Sequence, residues 1–388
     1  MIRSQDVETY LVQAKLDRKD LKRIVQPLSF SSKQDSELLL MEVDESILRD
    51  LKNGDMLTFR GREDDTAVLC TNKCTYEVRE AETSNSLLLV PDLLLPADVG
   101  NAEDFSLTEG PKEIPAIFHT YLELRQCNSR LRPLLDLLRK NAFKGTELED
   151  DDLTDKYTLQ DLLNVVQARE SEILSALDEL PTVKLNGFYR LLDTDYHFRV
   201  VNFINNYIEA ESIPTGKIPM EEVIASVSEL EPSGIVREVF KRCTMPSPGK
   251  DEGFYSLNSN YISRLTAQTI LKNVERFHLS EFLELWQRSV PEGVHVKIEQ
   301  LEGLAIVDCM STPKSIYLFD KWDVPQDASE RFSALFRQKE KWTLNEIRPY
   351  IEDLCVGVKG DINTLLMKHA RAFMEDSVRK YTAKHLAR

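Results

Sequence analysis

The stretch EKWTLNEIRPYIEDLC, Glu340–Cys355, decides how the chain is read, because a near copy, DKYTLQDLLNVVQ, stands at Asp155–Gln167. Each places a Lys before an aromatic residue, then Thr-Leu, a polar residue, an acid and an aliphatic. Reduced to its apolar and acidic positions, the hexamer recurs four times. The copies are YTLQDL at Tyr157–Leu162, IPMEEV at Ile218–Val223, FHLSEF at Phe277–Phe282 and WTLNEI at Trp342–Ile347. Their starts lie 61, 59 and 65 residues apart, the spacing of one small domain each.

The physics of the hexamer is a short strand running into a helix. Its first residue buries an apolar side chain. The second starts the helix, and the acid at position five falls in the first turn, where the helix dipole favours negative charge. Amphipathic segments precede the copies (Tyr196–Ala210, Tyr261–Glu275, Ser329–Arg337). A second helix is expected after them at Ser171–Leu180, Gly234–Cys243 and Asp361–Met374. Strand pairs follow in VKLNGFYRLLD, EGFYSL and LAIVDCMSTPKSIYLFD, with a weaker one in SVRKYTAK. Helix, short strand, helix, helix and hairpin is the order of a winged-helix domain. The sequence therefore predicts four cells, at 113–193, 194–258, 259–320 and 327–388.

The N-terminal part reads differently. Short β-type runs (LLLMEV, MLTFRG, TAVLC, TYEVRE, SLLLV) fill residues 38–90, separated by turn clusters such as Asn53-Gly54-Asp55. They predict a small antiparallel, barrel-like β module over 1–96, preceded by a helix around Val7–Val25. So few short strands leave open edges. Either a partner chain completes the barrel or the N-terminal helix covers it. Residues 97–112 are polar and acidic and read as a linker. The fold class is thus α+β: a β module followed by tandem winged-helix domains. The acidic tract ELEDDDLTD, Glu147–Asp155, reads as a solvated loop.

The chemistry is that of surfaces. With 42% hydrophobic and 29% charged residues the 388-residue chain has the composition of a folded soluble protein. Its net charge of −16 argues against a surface built throughout for nucleic acid. No apolar run reaches membrane-spanning length, and the N-terminus lacks a secretory apolar region. Six cysteines, at 70, 74, 127, 243, 309 and 355, are scattered as in a reducing compartment, and none pairs with histidines at zinc spacing. No phosphate-binding loop, dinucleotide fingerprint or nucleophile elbow is present. The expectation is no enzyme, no cofactor and no metal.

Cations concentrate in two cells. Arg237, Lys241 and Arg242 lie in GIVREVFKRC of the second. In the fourth stand Lys368, Arg371, Arg379, Lys380 and Lys384, with His369, His385 and Arg388. From Lys359 onward seven Lys/Arg face three acids. Arg237, Lys241, Arg242, Lys368, Arg371, Arg379, Lys380 and Lys384 are the candidate DNA-binding residues, read as phosphate contacts without sequence specificity. The alternative is a salt-bridged basic face. Glu172, Asp178 and Glu179 in the first cell, and Glu299 and Glu302 in the third, would repel phosphate. A further basic stretch runs from Arg125 to Lys144, with six Lys/Arg against one acid.

Four idiosyncratic stretches then resemble one family: TYEVREAETSNSLLLVP (Thr75–Pro91), SVPEG (Ser289–Gly293), LEGLAIVD (Leu301–Asp308) and ERFSALF with EKWTLNEIRPYIEDLC (Glu330–Cys355). It is the sister chromatid cohesion subunit of the alternative replication factor C clamp loader, and the similarity spans nearly the whole chain. The resemblance implies a non-catalytic nuclear, chromatin-associated protein. Its N-terminal β region would pair with the large ATPase subunit and a very small subunit, with Thr83, Ser84, Asn85, Leu87 and Leu89 as partner-binding candidates. Its winged helices would contact DNA polymerase epsilon, here through the first cell, and single- or double-stranded DNA. The assembly would load or unload the PCNA sliding clamp and support cohesion. The family has three winged helices, whereas the hexamer counts four cells. The competing reading is a tandem winged-helix scaffold of a transcription or ubiquitin-ligase complex that makes only protein contacts.

Overall fold

The computed structural model describes residues 9, 11–15, 24–33, 35–95, 107–108, 110–149, 152, 154–247, 253–309, 311–355, 361–375 and 377–384. The chain packs as two units, 1–53 with 78–125 and 54–77 with 126–388. The sequence drew its first boundary at 96 instead. Residues 54–77 go with the helical part because polar side chains of that part, one of them the buried Gln167, hold them there. Gln167 donates to the Thr66 carbonyl (2.6 Å), Arg169 to the Lys73 carbonyl (2.6 Å) and Arg130 to Glu77 (3.4 Å).

The first unit contains β1 (Ile24–Val25), β2 (Leu28–Phe30) and α1 (Glu45–Lys52). Asp44 caps α1 by accepting from the Ile47 amide. In the second unit lie β3 (Thr58–Arg60) and β4 (Val68–Cys70). Strand β5 (Thr75–Leu89) begins in the second unit and continues into the first, followed by β6 (Leu107–Thr108), β7 (Lys112–Ile114) and β8 (Ala116–Cys127). The long sheet has the order β3-β4-β5-β8, while β1 pairs with β6 and β2 with β7 as separate parallel ribbons. Among the described residues no sheet closes into a barrel, which corrects the barrel-like expectation. Strands β3 and β4 are three residues long and too short to wrap. The expected linker contributes strand β6 and the first residue of β7, and the rest of 97–106 lies outside the described residues. Most of the expected Val7–Val25 helix is also outside them, and its end at Ile24–Val25 is strand.

The second unit repeats one order four times. The first cell has α2 (Arg132–Lys140), α3 (Leu159–Val165), α4 (Glu170–Glu179) and a hairpin, β9 (Thr182–Leu185) with β10 (Phe188–Leu191). The second runs α5 (Thr194–Ala210), β11 (Ile218–Pro219), α6 (Met220–Val227), α7 (Ser233–Cys243), β12 (Thr244–Pro246) and β13 (Phe254–Leu257). In the third, α8 (Ser259–Leu271), β14 (Phe277–His278) and α9 (Leu279–Arg288) lead to β15 (Ala305–Asp308) and β16 (Ser315–Leu318). Its segment before the hairpin is only a 3-10 turn, Ile298–Leu301. The fourth has α10 (Ala328–Gln338), β17 (Trp342–Thr343), α11 (Leu344–Ile347), α12 (Ile362–His369), β18 (Ala370–Glu375) and β19 (Val378–Ala383). The expected helix to Met374 stops at His369, and its last residues form half of a six-residue hairpin, not a weak one. Ala370 and Tyr381, both buried, lie on one face of that hairpin, where strand pairing replaces the helix.

In every cell the hexamer pairs with the hairpin and runs into a helix, with its first residue buried in the second and fourth (Ile218, Trp342) and half-buried in the first and third (Tyr157, Phe277). Its first residue pairs with the last hairpin strand: Tyr157 with Tyr189, Ile218 with Tyr255, Phe277 with Ile316, Trp342 with Tyr381. Its sixth residue, Leu162, Val223, Phe282 or Ile347, is fully buried. Thr158 with Asp161, and Thr343 with Glu346, form reciprocal capping boxes at the helix start.

The cells are cemented together. One apolar cluster joins Phe143, Val183 and Leu192 of the first to α5 and α7 of the second. Trp322, between the third and fourth, packs against the leucines of α2 and α3. Arg139 pairs with Asp323 (2.6 Å), and Arg132 donates to the Asp323 carbonyl (2.8 Å). The acidic tract is partly pinned. Arg190, 3% exposed, reaches both Glu149 oxygens (2.8 and 2.7 Å), and Arg199 holds Glu147 (2.7 Å). These bonds depress both carboxyl pKa values.

Candidate nucleic-acid and partner surfaces

Helix α7 carries three of the expected cations. Its apolar residues Ile235, Val236, Val239 and Phe240 face the core, so Arg237 and Lys241 point outward. Both are engaged. Arg237 forks onto the two Glu221 oxygens (2.8 and 3.0 Å), and Lys241 lies 3.8 Å from Glu238. Arg242 is not a surface charge at all, which corrects its expected role. Its side chain is 11% exposed and donates to the carbonyls of Asp178 (2.7 Å) and Thr182 (3.3 Å) in the first cell. Arg242→Ala is therefore expected to cost about 1–3 kcal/mol in thermal unfolding, because two carbonyls lose a charged donor. Lys368→Ala, at an exposed site, is expected to stay within about 0.5 kcal/mol.

The fourth cell keeps a basic surface, split over two faces of its hairpin. In the register, Arg371 opposes Thr382 and Phe373 opposes Lys380, on the face away from the core. Arg379 opposes Met374 on the other face and lies over the Tyr381 ring at 5.5 Å. Lys368 ends α12, and Lys384 donates to the carbonyls of Met367 (3.2 Å) and Lys368 (3.5 Å) at that same helix end. Lys380 and Lys341 both bind Glu375, whose carboxyl they hold down at about 2. Arg371 and Lys368 thus stand exposed, with no partner among the described residues, whereas Lys380 is compensated. His385 and Arg388 lie outside the described residues.

The other cells offer no such face. In the first, Glu172 is held below the usual carboxylate range by Arg169 and Ser129 against the opposing effect of burial. Glu179 is bridged by Lys321. In the third, Glu302 is pushed up by burial and by Glu346 and Glu299.

The expected partner residues all lie on β5. Only Thr75–Glu77 pair with β4, so beyond Glu77 that edge of β5 has no strand beside it among the described residues. The Thr83 hydroxyl donates to the Asn85 carbonyl (3.0 Å) and accepts from the Asn85 amide (3.3 Å), and Leu87, Leu88 and Leu89 are 38, 43 and 38% exposed. Sequence reasoning missed how far this apolar surface extends. Leu28, Phe30, Leu39 and Leu51 of the same unit are also exposed, at 49, 63, 77 and 44%. Buried apolar side chains there are few among the described residues: Ile47, Ile114 and Ala116. The LLLM run at Leu38–Met41 carried the signal, since four apolar residues in a row cannot all face one side of a strand.

No metal-holding group of His, Cys, Asp and Glu occurs among the described residues. All six cysteines are free, and burial pushes Cys70 and Cys243 up, the latter to about 12. No described helix is long and apolar enough to cross a membrane.

A strand edge without a neighbour among the described residues, four repeated helix-and-hairpin cells and one basic hairpin make a mixed α and β chain. The chain belongs to the family described as sister chromatid cohesion protein Dcc1, whose model matches residues 38–351. Relatives are similar over most of their length. They include the sister chromatid cohesion protein DCC1 of Xenopus tropicalis, 38% identical over 98% of each chain, and that of Homo sapiens, 36% identical over 99% of each. The protein of that name in Saccharomyces cerevisiae is 23% identical over 84% of this chain and 90% of its own.

Proposed function

We propose that this chain serves sister chromatid cohesion as a non-catalytic adaptor of an alternative replication factor C clamp loader in the nucleus. In this reading the first unit joins the large ATPase subunit and the very small subunit. The four cells are winged helices that reach DNA polymerase epsilon and DNA while the complex loads or unloads PCNA. The observation that carries it is the set of exposed apolar side chains in the first unit, with an edge of β5 that has no strand beside it beyond Glu77 among the described residues. A unit that leaves Leu87–Leu89 of β5 and Phe30 of β2 in water while burying so few apolar side chains of its own has the character of half an interface. The winged-helix assignment is supported by the hairpin sheets of the last three cells, in which the first strand pairs with the third. Arg371 and Lys368 supply cations for phosphate in the fourth cell. The ion pairs of Arg237 and Arg242 favour a protein-packing role for the second.

The test is affinity purification of the full-length chain from replicating cells, wild type against Leu87→Asp/Leu89→Asp and Lys368→Glu/Arg371→Glu. The first pair is expected to lose clamp-loader subunits at least tenfold while the chain stays folded. The second is expected to keep them and to lose salt-dependent binding to DNA. If the wild-type chain brings down no replication proteins, the adaptor reading fails and the protein-only scaffold reading replaces it.

A further inference from the structure

A groove of ≈ 630 Å³ opens in the second unit between the β3–β4 hairpin and helices α3 and α4. Its walls are rigidly placed. The hydrogen bonds of Gln167 to Thr66 and of Arg169 to Lys73 fix the hairpin to the first cell. Gly61, at φ +145°, lets the backbone pass so close to Gln167 that a Cβ there would lie 2.9 Å from its side-chain nitrogen.

Three observations point to an occupant. Met56 and Phe59 on the lining are 77 and 55% exposed, next to the partly buried Leu163 and Leu174. Arg60, also on the lining, has Nε and Nη1 shut away from solvent with no acceptor, and its guanidinium has no ion pair among the described residues. A desolvated cation without a counter-charge is costly, and a carboxylate arriving beside it removes that cost. Strand β3, finally, is the outermost strand of its sheet and pairs with β4 alone among the described residues, so its other edge has no strand partner among them, the pattern an extended chain can complete.

We propose that this groove binds an extended, acidic peptide segment of a partner protein, with one Asp or Glu against Arg60 and apolar side chains over Phe59 and Met56. This goes beyond the clamp-loader reading and does not depend on it. A nucleic acid fits poorly. The second cation, Arg169, is already taken by Glu172, and Glu170 stands exposed on the rim, so a phosphate backbone would meet one uncompensated cation among neutral side chains and an acid.

The test selects random 12-residue peptides displayed on phage against the full-length chain and measures synthetic versions by fluorescence anisotropy. The expected result is enrichment of peptides with Asp or Glu beside Leu, Phe or Trp. Affinity should fall at least tenfold on Arg60→Gln and on Phe59→Ser, and stay unchanged on Leu285→Ser, an exposed apolar residue far along the chain. If Arg60→Gln does not fold, replacing the peptide's acid by its amide must give the same loss on the wild-type chain. Enriched peptides without acids, or acidic peptides that bind Arg60→Gln equally, overturn the proposal. So does a chain that dimerises in sedimentation and becomes monomeric on Arg60→Gln, since the occupant is then a second copy.

Discussion

Replacing Trp342 by alanine is expected to destabilise the fourth cell by about 4 kcal/mol, the upper range for truncating a buried aromatic. Trp342 opens the fourth hexamer and is 1% exposed. Its backbone pairs with Tyr381, its ring meets Tyr350 edge to face at 5.6 Å, and its indole N–H donates to the carbonyls of Lys339 (2.7 Å) and Leu335 (3.2 Å). Those carbonyls lie at the end of α10, where intrahelical donors run out. The substitution therefore opens a cavity and strips a helix end of its donor together. Urea unfolding followed by circular dichroism measures the loss. Trp342→Phe, which keeps a ring and loses the donor, should cost about half as much. A loss below about 1 kcal/mol for alanine would mean that the hexamer does not organise its cell. Because Arg371 and Lys368 are displayed by this cell, DNA binding should fall with its fold.

The hexamer was legible because everything it specifies is local. An acid three residues after a capping Thr, and an apolar residue one further on, fix a helix start without reference to the rest of the chain. What failed to be legible is long-range. Gln167 reaches Thr66 across 101 positions and Arg169 reaches Lys73 across 96, so nothing near residue 54 announces that 54–77 belongs with the helical unit. Arg242 illustrates the same limit among the candidate site residues. In sequence it is the third cation of a basic helix, and only the packing of α7 on the first cell makes it a donor to Asp178 and Thr182. The first strand of the fourth hairpin reads as helix in the sequence for a different reason. ARAFME, Ala370–Glu375, is rich in residues that suit helices, and its cross-strand partners, Tyr381 above all, override that preference.

His197 is expected to make the second cell acid-labile through one proton. It lies on the buried face of α5, 2% exposed, with Nε2 3.2 Å from the Tyr261 hydroxyl. Burial, with the Arg242 guanidinium nearby, pushes its pKa down to about 3. The folded state therefore holds the imidazole neutral, whereas an unfolded chain protonates it near its ordinary value of about 6.5. Below that value the unfolded state binds the extra proton, so stability falls as pH drops, by about 1.4 kcal/mol per unit, and levels off once pH passes below the folded value. At pH 4 the loss from this one residue is about 3 kcal/mol relative to neutral pH. Carboxylates titrate in the same range, so the measurement is a difference: urea midpoints from pH 7 to pH 4 for the wild type against His197→Gln, which takes no proton and can still bond to Tyr261. The variant should lose stability more slowly by about one proton's worth of slope, whatever it costs at neutral pH. Parallel slopes for the two proteins would mean that water or a carboxylate reaches the imidazole and that α5 is not sealed against α8.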